Sequence, residues 1–118
     1  MKRGDLVTVS LPGDYGKPRP AIIIQSNLLS ILDSVLVCPV TTIIVDASAV
    51  RITVEPSPTN GLRHLSQIMV DKITALRRDK VGAPFGHLTA RQMTSVNRAI
   101  LFGRRPGGIA NLPRNAEP

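Results

Sequence analysis

Tryptophan is absent from the 118 residues, aromatics make up only 3%, and cysteine occurs once. The hydrophobic core must therefore be built from Ile, Val, Leu and Met. A single thiol, Cys38, cannot close an internal disulfide, and no Cys/His grouping has zinc spacing, which fits a reducing compartment. No apolar run nears the roughly 20 residues that span a bilayer. Met1-Lys2-Arg3-Gly4-Asp5 leads directly into a strand pattern, with no signal peptide in view. A cytoplasmic protein without a membrane segment is expected. Glycine-rich phosphate loops of both common patterns and a GxSxG elbow are missing. His64 and His87 have no close sequence partner that makes a metal pair, so neither a metal nor a cofactor is expected. Acidic residues are also scarce: eight Asp and Glu stand against fifteen Lys and Arg, a formal charge of +7. That imbalance favours a polyanionic partner, most simply a nucleic acid, although an anionic membrane surface or plain solubility satisfies it too.

What the chain does contain is a series of short strand patterns. "LVTVSL" alternates Val7, Val9 and Leu11 with Thr8 and Ser10. "PGDYGKP" supplies turn chemistry, and "AIIIQS" and "SVLVCPVT" read as central strands buried on both faces. "NLLSILD" between them fits a helical turn or a covering loop equally well. "VRITVEP" alternates Val50, Ile52 and Val54 inward with Arg51, Thr53 and Glu55 outward, and Asn60-Gly61 signals a turn. "SQIMVDKITALRR" is one long strand or two short ones meeting at a bend near Asp71. After a break at Gly82-Ala83-Pro84, Thr89 and Gln92 form a capping box that opens a helix. Met93, Val96, Ile100 and Leu101 give that helix an apolar stripe, and Gly103 ends it. The pattern predicts a mainly β domain over residues 1–103, a small SH3-like barrel or strongly bent antiparallel sheet with a C-terminal helix. Residues 104–118, rich in Pro, Gly and Asn, form an expected flexible tail.

One stretch carries chemistry on its face. In "GKPRPAIIIQSN", Lys17 and Arg19 are threaded between Pro18 and Pro20 at the mouth of a strand. The prolines stiffen the backbone, and arginine offers a permanently charged planar fork suited to phosphate. Thr41 and Thr42, at the end of "VLVCPVTT", supply hydroxyls able to donate to a phosphate oxygen. The residues alone leave a plainer reading open, in which Arg19 pairs with Asp5 or Asp14 and the threonines only begin a turn. Cys38, inside an apolar run, reads as a buried inert thiol.

Four stretches in order, "RGDLVTVSL", "GKPRPAIIIQS", "VLVCPVTT" and "LSQIMVDKI", resemble the motifs of the MazF/PemK family of bacterial toxins, the ribonucleases of type II toxin–antitoxin systems. The similarity runs from about Arg3 to Phe102. The resemblance implies an SH3-like barrel paired into a symmetric homodimer, with an antitoxin protein as partner. It also implies metal-independent, sequence-specific cleavage of single-stranded RNA, chiefly mRNA. In that chemistry the ribose 2′-hydroxyl attacks phosphorus and leaves a 2′,3′-cyclic phosphate and a 5′-hydroxyl. The family's motif arginine falls on Arg19 and its strand-end threonine on Thr41, the expected catalytic pair. Lys17, Tyr15, Thr42, Ser66 and Gln67 are the expected substrate contacts around them. Tyr15 is open to stacking on a base or packing on the first strand. Two departures stand out: Ser66 occupies a position that is acidic in some relatives, and Met69 replaces a usual Arg or Lys. Two further readings share the fold. A CcdB-like gyrase poison would need a tryptophan that this chain lacks; a non-catalytic nucleic-acid-binding module fits the charge equally well.

Overall fold

A computed structural model describes residues 1–29 and 31–104. Apart from Arg104, the expected tail lies outside the described residues. The order of elements is β1 (Asp5–Ser10), β2 (Pro18–Ile23), β3 (Ser34–Thr41), β4 (Arg51–Val54), β5 (Ser66–Met69), β6 (Thr74–Arg77), β7 (Val81–His87) and α1 (Ala90–Arg104). Every strand pair is antiparallel, in the order β4-β5-β3-β2-β1-β7, with β6 beside β3. β3 changes partner along its length: Ser34–Val37 pair with β6, whereas Val40 and Thr41 pair with β5. That switch bends the sheet without closing it, since no pairing joins the end strands β4 and β7 among the described residues. Of the expected forms, the strongly bent antiparallel sheet with a C-terminal helix is the one observed. No helix among the described residues is long and apolar enough to cross a membrane.

The isoleucine run of β2 explains how both faces are covered. Successive strand residues point to opposite sides, so Ile22 and Ile24 join Leu6, Cys38, Val40, Val54, Ile68 and Val96 in one buried cluster. Ala21 and Ile23 join Val7, Val9, Val35, Val37 and Leu76 in a second. α1 roofs the first cluster. Its N-terminus is set by the capping box: the Gln92 N–H donates to Thr89 Oγ1 (3.1 Å) and the Thr89 N–H to Gln92 Oε1 (2.9 Å). Val96 and Ala99 are buried, with Met93 and Ile100 packed beside them, but Leu101 is exposed. One residue beyond Ile100 is a turn of about 100° around the axis, which carries Leu101 off the apolar stripe. The helix also runs one residue past Gly103, to Arg104.

Gly82-Ala83-Pro84, expected as a break, lies inside β7. The strand is an edge, and its pairing to β1 shifts register between Leu6 and Val7 and between Val7 and Val9. Such irregular edges accommodate proline, which has no N–H to give a ladder. Gly86 is required where β7 passes Asn60, because a Cβ there would lie 2.3 Å from the Asn60 carbonyl oxygen. "SQIMVDKITALRR" resolves into the two short strands β5 and β6, joined by a 3₁₀ turn at Val70–Lys72. Asn27–Leu29 forms another such turn.

Candidate active site

The β1–β2 turn is built from residues in the left-handed region: Gly13 (φ +86°), Tyr15 (φ +53°) and Gly16 (φ +77°). It is closed by Asp14 N–H to Leu11 O (3.2 Å) and Lys17 N–H to Asp14 O (2.9 Å). The turn delivers the chain into Pro18-Arg19-Pro20 of β2, opposite Ser10, Val9 and Thr8. On its other side β2 pairs with β3 only from Ala21, which faces Pro39, to Ile23. Pro18 and Pro20 cannot donate to a neighbouring strand, so the ladder stops and the strands part into a groove.

The register explains what stands in that groove. Ala21 opposes Pro39, and continuing by two residues along each strand sets Arg19 opposite Thr41. Strand alternation then puts both side chains on the face shared by Ala21, Ile23, Val35 and Val37. The groove holds about 590 Å³ and is lined by Asp14, Arg19, Thr41, Thr42, Ser66 and Lys72 among its polar residues, with Pro20, Pro39, Ile43 and Met69 among the apolar ones.

Three of these polar groups have defined commitments. Arg19 Nε donates to Asp14 Oδ2 at 3.3 Å, so the ion pair weighed against a functional role does form. The contact is long and its arginine is 45% exposed, and pairs of that kind contribute about 0–1 kcal/mol. Only Nε is used; both terminal nitrogens are without a partner among the described residues. Thr41 Oγ1 accepts the Ile43 N–H at 3.1 Å, which leaves its own O–H free to donate. Ser66 is buried and spends its proton on His64 O (2.8 Å), so toward the groove it can only accept. The arrangement offers an anion two guanidinium N–H edges from one wall and a hydroxyl proton from the facing strand.

The other expected site residues fall elsewhere. Gln67 is buried with its amide occupied: Oε1 accepts the Val45 N–H (3.1 Å), and Nε2 donates to Val45 O (2.9 Å) and Thr53 Oγ1 (3.2 Å). It ties the segment after Thr41 to β5. Lys17 and Tyr15 do not line the groove. Tyr15 is fully exposed at the turn tip, which excludes packing on β1. Met69, Lys72 and Thr74 do line it; their nearness to Arg19 depends on β3 pairing with both β2 and β5, which no local pattern encodes. Cys38 sits in the first core cluster, and burial pushes its thiol up to about 12, with Arg3 partly offsetting the effect and Asp71 adding to it. It is an inert thiol at neutral pH. His64 and His87 are both exposed. No group of three or more His, Cys, Asp or Glu able to hold a metal ion occurs among the described residues.

Comparison with known proteins finds similar chains and similar folds. The family described as PemK-like, MazF-like toxin of type II toxin–antitoxin system matches residues 2–102. A protein of Mycolicibacterium smegmatis named "Probable endoribonuclease MazF" is 41% identical over 102 residues, covering 86% of this chain and 94% of the relative. Among solved structures, "Mycobacterium tuberculosis toxin MazF-mt6" superposes with a TM-score of 0.71 at 26% identity, over 81% of this chain and 91% of that one. An "Endoribonuclease in complex with its cognate antitoxin from Mycobacterial species" superposes with a TM-score of 0.71 over 85% of this chain and 90% of that one; at 21% identity it speaks to the fold alone.

Proposed function

The chain belongs to the PemK-like, MazF-like toxins of type II toxin–antitoxin systems and is an endoribonuclease toxin of that kind; we propose that it cuts single-stranded RNA in the Arg19–Thr41 groove without a metal ion. The observation that carries this reading is that Arg19 and Thr41 line one groove from neighbouring strands, each with hydrogens free to donate. The 2′-hydroxyl oxygen of the nucleotide before the cut attacks phosphorus as its proton passes to water, the P–O5′ bond breaks, and the 5′-oxygen takes up a proton from water. The products are a 2′,3′-cyclic phosphate and a 5′-hydroxyl. Negative charge grows on the non-bridging oxygens as the fifth P–O bond forms. The terminal nitrogens of Arg19 meet it with charge-assisted bonds, and Thr41 fixes one oxygen by donation. A guanidinium with a pKa above about 12 is a poor base, so Arg19 acts by charge and position. Asp14, holding Nε, keeps the fork turned so that its other two nitrogens are available.

Ile43, Ile44, Val45, Leu65 and Ile73 are exposed large apolar side chains, and Ile43 lines the groove. We propose that a second copy covers part of this surface in a symmetric homodimer, so that light scattering reads twice the chain mass. An antitoxin segment that blocks the groove is the proposed partner, and the cytoplasm, where mRNA is translated, the proposed place of action.

The test is cleavage of denatured cellular RNA by purified protein in EDTA. Fragments should carry cyclic-phosphate 3′ ends and 5′ ends that a kinase labels without prior dephosphorylation. A folded dimer that leaves a broad RNA pool intact overturns the enzyme reading in favour of a binding module. Activity only on adding a divalent cation overturns the metal-independent mechanism.

Tyr15 gives an independent prediction. A side chain held at φ +53° with its ring wholly in solvent gains nothing from the fold, whereas stacking on a base is worth about 1–3 kcal/mol. Tyr15→Gly should leave thermal stability unchanged or slightly raised while weakening RNA binding about tenfold. Fluorescence anisotropy with a labelled RNA and a thermal melt read the two effects separately.

A further inference from the structure

Three charged side chains line the groove, Asp14, Arg19 and Lys72. The first two are already joined to each other, so they largely offset one another toward an approaching polyanion. The ammonium of Lys72 is exposed and has no partner among the described residues. The net positive charge of the groove is therefore that of Lys72.

Its place is tightly specified. Lys72 ends the 3₁₀ turn Val70–Lys72 between β5 and β6. Val70 is buried and its N–H donates to Val50 O at 2.9 Å. Asp71 takes a two-point pair from Arg51 of β4, Nε to Oδ1 at 2.8 Å and Nη2 to Oδ2 at 3.2 Å, and the arginine side chain is only 13% exposed. Thr74 Oγ1 closes the turn by donating to Lys72 O at 2.9 Å. A bidentate pair fixes orientation as well as distance, so the turn that carries Lys72 is held in place.

Building on the RNA-cutting reading, we infer that Lys72 binds a backbone phosphate flanking the scissile one, and that Arg51 and Asp71 are positioning residues that hold its turn against the groove. Arg19 then serves the reacting phosphate and Lys72 its neighbour, giving the strand a path along the groove. A phosphate contact of this kind steers binding and register but makes no extra contact in the transition state, so its loss should appear in KM and not in kcat.

The experiment measures affinity for a randomised single-stranded 2′-O-methyl RNA pool, which lacks the attacking hydroxyl, across a salt series. Cleavage kinetics on the matching unmodified pool accompany it. Lys72→Ala should weaken binding about fivefold at low salt and reduce the slope of log affinity against log salt by about 0.7, the value for one single-strand phosphate contact. KM should rise with kcat retained, and Lys72→Arg should restore the slope. Asp71→Asn and Arg51→Lys, each keeping part of the pair, should reproduce a fraction of the KM effect and add little to Lys72→Ala. Unchanged slope and KM in Lys72→Ala, with the wild type cutting normally, overturn this inference alone. A wild type that neither binds the pool nor cuts RNA overturns the functional reading and this inference with it.

Discussion

Arg19→Ala should abolish RNA cutting while the fold survives: kcat falls about 100- to 1,000-fold, and the melting temperature stays within a few degrees of wild type. The size follows from removing preorganised donors aimed at charge that develops only in the transition state, an effect commonly worth about 3–4 kcal/mol. The retention of fold follows from what Arg19 contributes to it, a single long contact to Asp14 from a half-exposed side chain. Arg19→Lys keeps the charge and loses the fork, so it should recover only part of the rate. Thr41→Val removes the O–H at nearly constant shape and should lower kcat as well. Combined with Arg19→Ala its further cost should be small, because residues that act on one phosphate as a unit are not additive. Single-turnover cleavage of a defined RNA, with melts of each variant, checks all of this. Full activity in folded Arg19→Ala would place the reacting phosphate elsewhere.

The legibility of this site in the sequence was uneven, and the reason is physical. Local signals carried far: Thr89 and Gln92 make the expected reciprocal bonds, the isoleucine run is buried on both faces, and the bend expected near Asp71 is the turn between β5 and β6. Arg19 could be singled out because two prolines bracket it. Lys72 could not. It reaches the groove only because β3 takes β2 on one side and β5 and β6 on the other, and no period or propensity in "VDKIT" reports that. β7 was hidden for the opposite reason. Gly and Pro ordinarily interrupt strands, but at an irregular edge beside Asn60 the glycine is what allows the close approach and the proline forfeits little. The Met93 stripe erred by one residue, at Leu101, where a helical period separates neighbours sharply.

The groove also depends on a residue that never touches it. Gln67, expected as a substrate contact, spends both ends of its amide on Val45 and Thr53, and through Val45 it holds down the segment carrying Thr42 and Ile43, both on the groove wall. Gln67→Leu fills nearly the same volume but strands the Val45 N–H and C=O, while the exposed Thr53 hydroxyl turns to water. Val45 is 41% exposed, so water can rescue part of that loss; a cost of about 2–3 kcal/mol is expected, or a fall in melting temperature of about 10 °C or more for a domain of this size. Gln67→Glu should be worse still, because a buried carboxylate can keep the bond from Val45 N–H but cannot donate to Val45 O and must shed its hydration. Below its melting point Gln67→Leu should cut more slowly, with kcat and KM both affected, since the wall opposite Arg19 loosens. A direct substrate contact predicts a different pair of results: melting unchanged and KM raised alone. Thermal melts and steady-state kinetics on the same variant therefore decide between a clamp and a contact. The buried amide, with all three of its hydrogen bonds made inside the protein, argues for the clamp.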